Sequence, residues 1–282
     1  MQFITSIEAL KEALDLLRRK NPKIGFVPTM GALHEGHLSL VRRSRKEMNA
    51  TVASIFVNPT QFCPSEDFGR YPHPIERDRE LCEKAGVDLV FCPPPSEMYP
   101  AGYATYVLQE RYTEPFEGEV RVGHFHGVCT ICAKLFNLVR PAVAYFGQKD
   151  YQQTVVIRRM VRDLHMDLEI RVCPIVREAD GLAMSSRNIY LSAEERRQAT
   201  TLHRALSAAE QAFAAGERNV APMLDRIRKV IGEAPLAQLD YAAIADPDTL
   251  QELRRIEAGA VLLLAARFGK TRLIDNTLLT AE

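Results

Sequence analysis

His34 and His37 stand three residues apart in FVPTMGALHEGHLSL, residues 26–40, with Gly31 and Gly36 beside them. Three kinds of chemistry compete for that spacing. A zinc site of the HExxH kind needs histidines four apart on a formed helix, and HEGH is one residue short with a glycine between them. A buried structural turn would ask nothing of the imidazoles. A phosphate-binding turn accounts for more of the residues. An apolar strand stops, a glycine lets backbone approach a ligand, and a helix begins with its N–H groups outward, the imidazoles adding donors. No GxGxxG follows the first strand. FGKT at 268–271 has Leu264 where a P-loop needs glycine, so Lys270 reads as a residue of a tight turn.

Other strand ends carry polar residues of the kind an α/β site uses. FVNPTQF puts Asn58 and Gln61 after one apolar run; YFGQKDYQQ puts Gln148, Lys149 and Asp150 after another, with Gln153 one turn into the next helix. Lysine there can neutralise phosphate, and glutamine amides can recognise hydroxyl and carboxylate groups without adding charge. AMSSRN, residues 183–188, adds two hydroxyls and Arg187 in a loop that Asp180 and Gly181 make flexible. Each residue alone is also what a solvated loop contains; on one edge of one sheet they converge. IERDREL reads instead as the solvated face of a helix, and His124 and His126 of GHFHG alternate as strand residues would. Cys129 and Cys132 form a CxxC inside a helical pattern. No second pair completes a zinc site, so they read as two small core residues.

Positioning these residues falls to alternating strands and helices. Thr5 with Glu8 reads as a capping box, and Ile7, Leu10, Leu14 and Leu17 line one face of the first helix. Strands at KIGFVP, TVASIFV, DLVFC, AVAYFG and LEIRVCPIV are separated by helical stretches near 37–48, 75–85, 127–139 and 151–164. This alternation implies an α/β fold, a Rossmann-like doubly wound parallel sheet with ligands at the carboxyl ends of its strands. That first domain is expected over residues 1–176. From 177 to 282 the texture changes. Ser192 and Glu195 open a long alanine-rich helix, another follows near 220–232, and DYAAIAD and AVLLLAARFG are short strands, giving a smaller C-terminal α+β domain.

A chain of 282 residues, 46% apolar, can bury a substantial core. Lysine plus arginine and aspartate plus glutamate balance at 36 each, so no overall field draws the chain to nucleic acid or an anionic membrane. Small-molecule chemistry is the expectation. The N-terminal MQFITSIEALKEALDLLRRK carries acids through its helical pattern and lacks the apolar centre of a signal peptide; no run of eighteen apolar residues occurs. The cysteines, at 63, 82, 92, 129, 132 and 173, have no framework spacing and suit reduced thiols in the cytoplasm.

PTMGALHEGH, SIFVNPTQF, GHFHGV, AKLFNLVRP, FGQKDYQQ, DGLAMSSRN and RLIDN occur in that order over nearly the whole chain. In these motifs the chain resembles the pantoate–β-alanine ligases of the HIGH-motif nucleotidylyltransferase superfamily. The resemblance implies two steps: pantoate attacks the α-phosphate of ATP to give pantoyl adenylate and pyrophosphate, then β-alanine displaces AMP to give pantothenate. Carried over residue by residue, it implies an ATP site lined by Met30, Gly31, Ala32, Leu33, His34, Glu35, Gly36 and His37. Gly147, Gln148, Lys149 and Asp150 would add phosphate and ribose contacts. Val176, Met184, Ser185, Ser186 and Arg187 would complete the nucleotide site, MSSR standing where the superfamily has its KMSKS loop. His37, His34, Lys149 and Arg187 would be the catalytic donors, and Gln61 and Gln153 would hold pantoate, Gln61 also lying near β-alanine. Magnesium would accompany ATP, its protein ligands unspecified. A homodimer and a C-terminal domain acting as a lid are implied in the same way. Cys63, His73 and His126 depart from the family pattern and put local contacts in question.

Three rival readings keep the HxGH turn. An aminoacyl-tRNA synthetase would need a nucleic-acid-binding surface, which the neutral charge does not suggest. An adenylyltransferase that stops at nucleotide transfer needs no second acceptor, and a regulatory nucleotide-binding module would keep the glycines without the donors Lys149, Gln153 and Arg187. Pyrophosphate release with pantoate alone, then AMP release on adding β-alanine, separates the last two from a ligase.

Overall fold

Short runs up to Cys173 pair side by side as strands: β1 (Gln2–Ile4), β2 (Ile24–Thr29), β3 (Ala50–Ile55), β4 (Leu89–Phe91), β5 (Val143–Gly147) and β6 (Glu169–Cys173). In the computed structural model, which describes residues 1–64 and 66–280, they form one sheet in the order β1-β4-β3-β2-β5-β6, every neighbouring pair parallel. Parallel pairing requires crossovers. These contain α1 (Ile7–Lys20), α2 (Glu35–Glu47), α3 (Ile75–Lys84), the short α4 (Pro95–Met98) and α5 (Glu117–Val120), α6 (His124–Val139) and α7 (Tyr151–Asp163).

Successive strand residues face opposite layers. Phe26, Val52, Leu89 and Ala144 join one core with Leu10 and Leu14 of α1 and Phe136 of α6. Val27, Ala53, Val90 and Tyr145 join the other with Leu40 and Val41 of α2 and Cys82 of α3. The chain steps from β2 to β3 and β4 on one side, then to β5 and β6 on the other. The winding therefore reverses between β2 and β5, where a doubly wound sheet opens its ligand crevice.

Local details differ from the sequence expectations. The N-cap of α1 is Ser6, whose hydroxyl accepts from the Ala9 amide, and not Thr5. GHFHG is no strand: His124 and His126 lie in the first turn of α6, whose apolar residues continue past them into the core. Cys129 and Cys132 are buried in the same helix. β1 escapes a periodic reading because its three residues are too few to express a period.

Contacts divide the chain into Met1–Gly147 with Gln152–Cys173, and Gln148–Tyr151 with the chain from Pro174 onward. In the second unit β7 (Ala237–Ala245), β8 (Gly259–Phe268) and β9 (Thr271–Thr280) make an antiparallel sheet in that order. Its core joins Leu262, Leu264 and Phe268 to Leu206 and Phe213 of α9 (Thr201–Ala214) and Met223 and Ile227 of α10 (Val220–Gly232). Ser192 and Glu195 do form the capping box, of α8 (Ala193–Ala199), and the long alanine-rich helix is two helices meeting at Thr200. Gly269 and Lys270 are the tight turn of the β8–β9 hairpin, across which Phe268 pairs with Thr271. Among the described residues no helix is long and apolar enough to cross a membrane.

Candidate active site

Where β2 ends, Thr29 Oγ1 donates to the Ser54 carbonyl at 2.7 Å and accepts from the Gly31 amide at 3.2 Å. Gly31 has φ of +84°, and a Cβ there would meet an Asp78 carboxylate oxygen at 3.0 Å, so both conformation and space call for glycine. His34 then caps α2. Its Nδ1 accepts from the Gly36 amide at 3.2 Å, while His37 Nδ1 accepts from the His34 amide at 3.4 Å. This is a capping box built from two imidazoles, and the spacing of three is the spacing of N-cap and N3. Because each Nδ1 receives an N–H, the proton of each neutral ring sits on Nε2. The two rings, 4.1 Å apart between centroids, thus each carry an N–H donor on the edge away from their own backbone.

The turn's own amides are less available than the sequence reading expects. Ala32 and Leu33 donate to Asp78 Oδ2 and Oδ1 at 2.7 and 2.8 Å, and the His37 amide donates to the His34 carbonyl at 2.8 Å. These three backbone N–H groups are therefore already engaged within the protein. Asp78 also corrects the reading of IERDREL as a wholly solvated face: Glu76 and Glu80 are exposed, but Asp78 is 1% exposed. Burial raises its carboxyl above the usual aspartate range, although its two backbone hydrogen bonds act in the opposite direction. A signal existed: Asp78 and Cys82, four apart, are the buried residues of α3, so the acid falls on the apolar stripe. Glu35, at the start of α2, is exposed and pairs with Arg42.

After β3, Asn58 organises a second turn. Its Oδ1 accepts from the Thr60 amide and hydroxyl at 3.4 and 3.0 Å and from the Tyr99 hydroxyl at 2.8 Å. Its Nδ2 donates at 3.1 Å both to Gln61 Oε1 and to the Gly127 carbonyl of α6. Gln61 Nε2 lies 2.9 Å from Met30 Sδ, so this turn touches the first one. A Cβ at Gly127 would come 2.3 Å from the Thr60 carbonyl oxygen, which makes glycine the condition for α6 to pack there. Gln153 is half-buried on α7 of the same unit. Its neighbour Gln152 is committed to structure, accepting from the Glu117 amide at 3.0 Å and donating to the Tyr112 and Pro115 carbonyls at 3.0 and 2.8 Å.

Gly147 ends β5 in the first unit, but Gln148, Lys149 and Asp150 group with the second. The reason is Asn276 of β9. Its Nδ2 donates to the Gln148 and Lys149 carbonyls at 3.0 and 2.8 Å, and its Oδ1 accepts from Gln148 Nε2 at 3.2 Å. Next to it, buried Asp275 takes both Nη atoms of Arg177, at 2.6 and 3.0 Å. Arg177 opens a small hairpin in which the Met184 amide donates to the Val176 carbonyl at 3.0 Å and the Glu178 amide to the Leu182 carbonyl at 2.8 Å. Asp180 and Gly181 are its tight end, so the stretch the sequence reads as a loop is a hydrogen-bonded hairpin. It delivers Met184 to Ser185, whose Oγ accepts from the Arg187 amide at 3.2 Å, and a short 3₁₀ turn carries Ser186 and Arg187. Sequence reasoning carries Asp275 and Asn276 within RLIDN but gives them no role; two polar residues in succession at buried strand positions are the signal that could have done so.

Three departures from the family pattern have ordinary local roles. Cys63 Sγ donates to the Val122 carbonyl at 3.3 Å, His73 packs edge-on to Tyr71, and His126 packs against Tyr106.

Comparison with known proteins agrees along the whole chain. The family model for pantoate–β-alanine ligase matches residues 2–278. Pantothenate synthetase of Herpetosiphon aurantiacus is 55% identical over 277 residues, covering 98% of this chain and 99% of that one. The crystal structure of pantothenate synthetase from Thermus thermophilus superposes with a TM-score of 0.95 at 49% identity, covering all of both chains. That of the pantoate–β-alanine ligase of Francisella tularensis, a complex with a β,γ-ATP compound and β-alanine, superposes with a TM-score of 0.82 at 33% identity, covering 99% of this chain and 97% of that one. The chain belongs to the pantoate–β-alanine ligase family.

Proposed function

We propose, from that membership and from the two turns described above, that the chain joins pantoate to β-alanine through a pantoyl adenylate. The observation that carries the reading is the pair of imidazoles whose Nδ1 atoms are taken up by backbone N–H groups, leaving the proton on Nε2. A pantoate carboxylate oxygen attacks the α-phosphorus of ATP, the bond to the β-phosphate oxygen breaks, and pyrophosphate leaves with the electron pair. Negative charge builds on the phosphoryl oxygens in this step, and fixed donors stabilise it without rearranging. His34 and His37 supply such donors, and Lys149 and Arg187 supply permanent positive charge. The amine of β-alanine then attacks the acyl carbon, loses a proton, and AMP departs. No protein nucleophile takes part, so orientation and exclusion of water are the protein's contribution to the second step.

In the same reading Gln61 and Gln153 recognise pantoate, their neutral amides matching its hydroxyl and carboxylate groups. Met30 to His37, Gly147 to Asp150, Val176 and Met184 to Arg187 line the nucleotide site, and residues 177–282 serve as a lid. ATP enters as its magnesium complex. Magnesium favours oxygen ligands and keeps several waters, so phosphates can supply most of its shell, and exposed Asp150 is the carboxylate of the nucleotide set suited to join them. A cytoplasmic homodimer completes the proposal. Free thiols suit a reducing compartment, and sedimentation equilibrium measures the dimer.

The test is stepwise product analysis. ATP with pantoate alone should release pyrophosphate, and adding β-alanine should release AMP and form pantothenate. Pyrophosphate release that needs no pantoate, or no AMP on adding β-alanine, would overturn the assignment.

A further inference from the structure

We propose that His124 is a positioning residue that fixes the backbone of Gln61 through one tautomer of its ring; this rests on the reading of Gln61 as a pantoate contact. His124 is buried, and its two ring nitrogens face different groups. Nε2 lies 3.0 Å from Arg121 Nη1, and Nδ1 lies 2.8 Å from the Gln61 carbonyl oxygen. A guanidinium only donates and a carbonyl only accepts. Nε2 is therefore the acceptor and Nδ1 carries the proton, donating it to Gln61. The ring is held neutral in this form: burial first, then the adjacent Arg121 charge, push its pKa down to about 4 against the opposing influence of the Gln61 carbonyl, Glu66 and Glu117.

Arg121 is itself fixed. Its Nε donates to Glu66 Oε1 at 2.6 Å and its Nη2 to Glu66 Oε2 at 3.3 Å, in a pair whose side chains are 15% and 19% exposed. Glu66 Oε2 also accepts from the Cys63 amide at 2.8 Å. The result is a closed chain of hydrogen bonds, Gln61 carbonyl to His124 to Arg121 to Glu66 to the Cys63 amide, which grips the segment following Asn58 at two points. The Gln61 amide is placed by this grip on its backbone together with the Asn58 and Met30 contacts of its side chain. A neutral amide that selects a substrate by hydrogen bonds is effective only when held to within about 0.5 Å. GHFHG thus acts on the substrate turn without touching substrate.

The experiment compares His124→Ala, His124→Asn and His124→Gln with Gln61→Ala, measuring the KM for pantoate, kcat, and ATP dissociation by calorimetry. Asparagine can place an amide N–H where Nδ1 stands; glutamine carries its amide further out. His124→Ala and His124→Gln should raise the pantoate KM about fivefold to tenfold, the loss of one buried hydrogen bond. His124→Asn should stay within about threefold of the parent, and ATP dissociation should stay unchanged in all three, which a general loss of structure would not allow. If His124→Ala does not fold, the asparagine–glutamine contrast decides alone. Pantoate KM unchanged in the alanine and glutamine variants while Gln61→Ala raises it would overturn the positioning role and leave Gln61 standing. An asparagine variant as impaired as the glutamine one would overturn the tautomer argument. Unchanged pantoate kinetics in Gln61→Ala would remove the Gln61 reading, and this inference with it.

Discussion

Asn276 and Gln148 are 128 positions apart, yet the Asn276 amide donates to the Gln148 carbonyl at 3.0 Å and accepts from the Gln148 side chain at 3.2 Å. With the further bond to the Lys149 carbonyl, one asparagine of β9 holds the turn that presents Lys149. Asn276→Ala is expected to weaken ATP binding about tenfold, since buried hydrogen bonds contribute ~1 kcal/mol each. Calorimetric titration with the nucleotide measures it. Unaltered affinity in a folded variant would mean that the turn keeps its shape without this residue.

His37→Ala should slow pantoyl adenylate formation by roughly 10²–10³-fold, the loss typical of one transition-state donor. Single-turnover pyrophosphate release is the measurement. Adenylation at the parent rate in a folded variant would remove His37 from the reaction.

Gln61→Ala should affect pantoate and ATP unequally. Its amide contributes no charge toward phosphate, so the pantoate KM should rise about tenfold while nucleotide affinity holds. The reverse pattern, weakened ATP binding with pantoate saturation unchanged, would move Gln61 to the nucleotide.

Asp78 gives a pH-dependent prediction. Its folded pKa lies above its ordinary value of 3.8, so the protonated form is favoured by folding. Its contribution to stability is full below 3.8 and is lost as pH rises through the folded pKa. Asp78→Asn lacks this titration. Relative to the parent, its stability should therefore improve as pH rises from acid toward neutral, read from urea unfolding at a series of pH values. A difference that does not change with pH would contradict the burial argument.

Arg187→Ala should impair the two half-reactions differently if Arg187 meets departing pyrophosphate in a closed state. Adenylation should fall by about 10²-fold, and aminolysis of supplied pantoyl adenylate should fall less, because pyrophosphate has left by then. Rapid mixing measures each separately. Equal losses would assign Arg187 a role in the site as a whole.

The sequence by itself determined the layered α/β unit, because buried parallel strands must be apolar over their full width and the helices between them must be apolar on one side. KIGFVP, TVASIFV and AVAYFG were legible as buried strands of a parallel sheet, whereas which strands neighbour one another and in what register came from the structure. It also marked out candidate groups, since histidine, glutamine and lysine at strand ends are few and stand in recognisable motifs. Polar partnerships were the part it could not hold. That His34 and His37 cap each other, that Asp78 holds the turn before them, that His124 grips Gln61, and that Asp275 and Asn276 hold the Arg177 and Lys149 segments all depend on which groups meet after the layers pack. Apolar burial has no direction and leaves a period in the chain. A hydrogen bond is directional and can join residues 128 positions apart, as it does Gln148 and Asn276, so only the tertiary structure decides its partner.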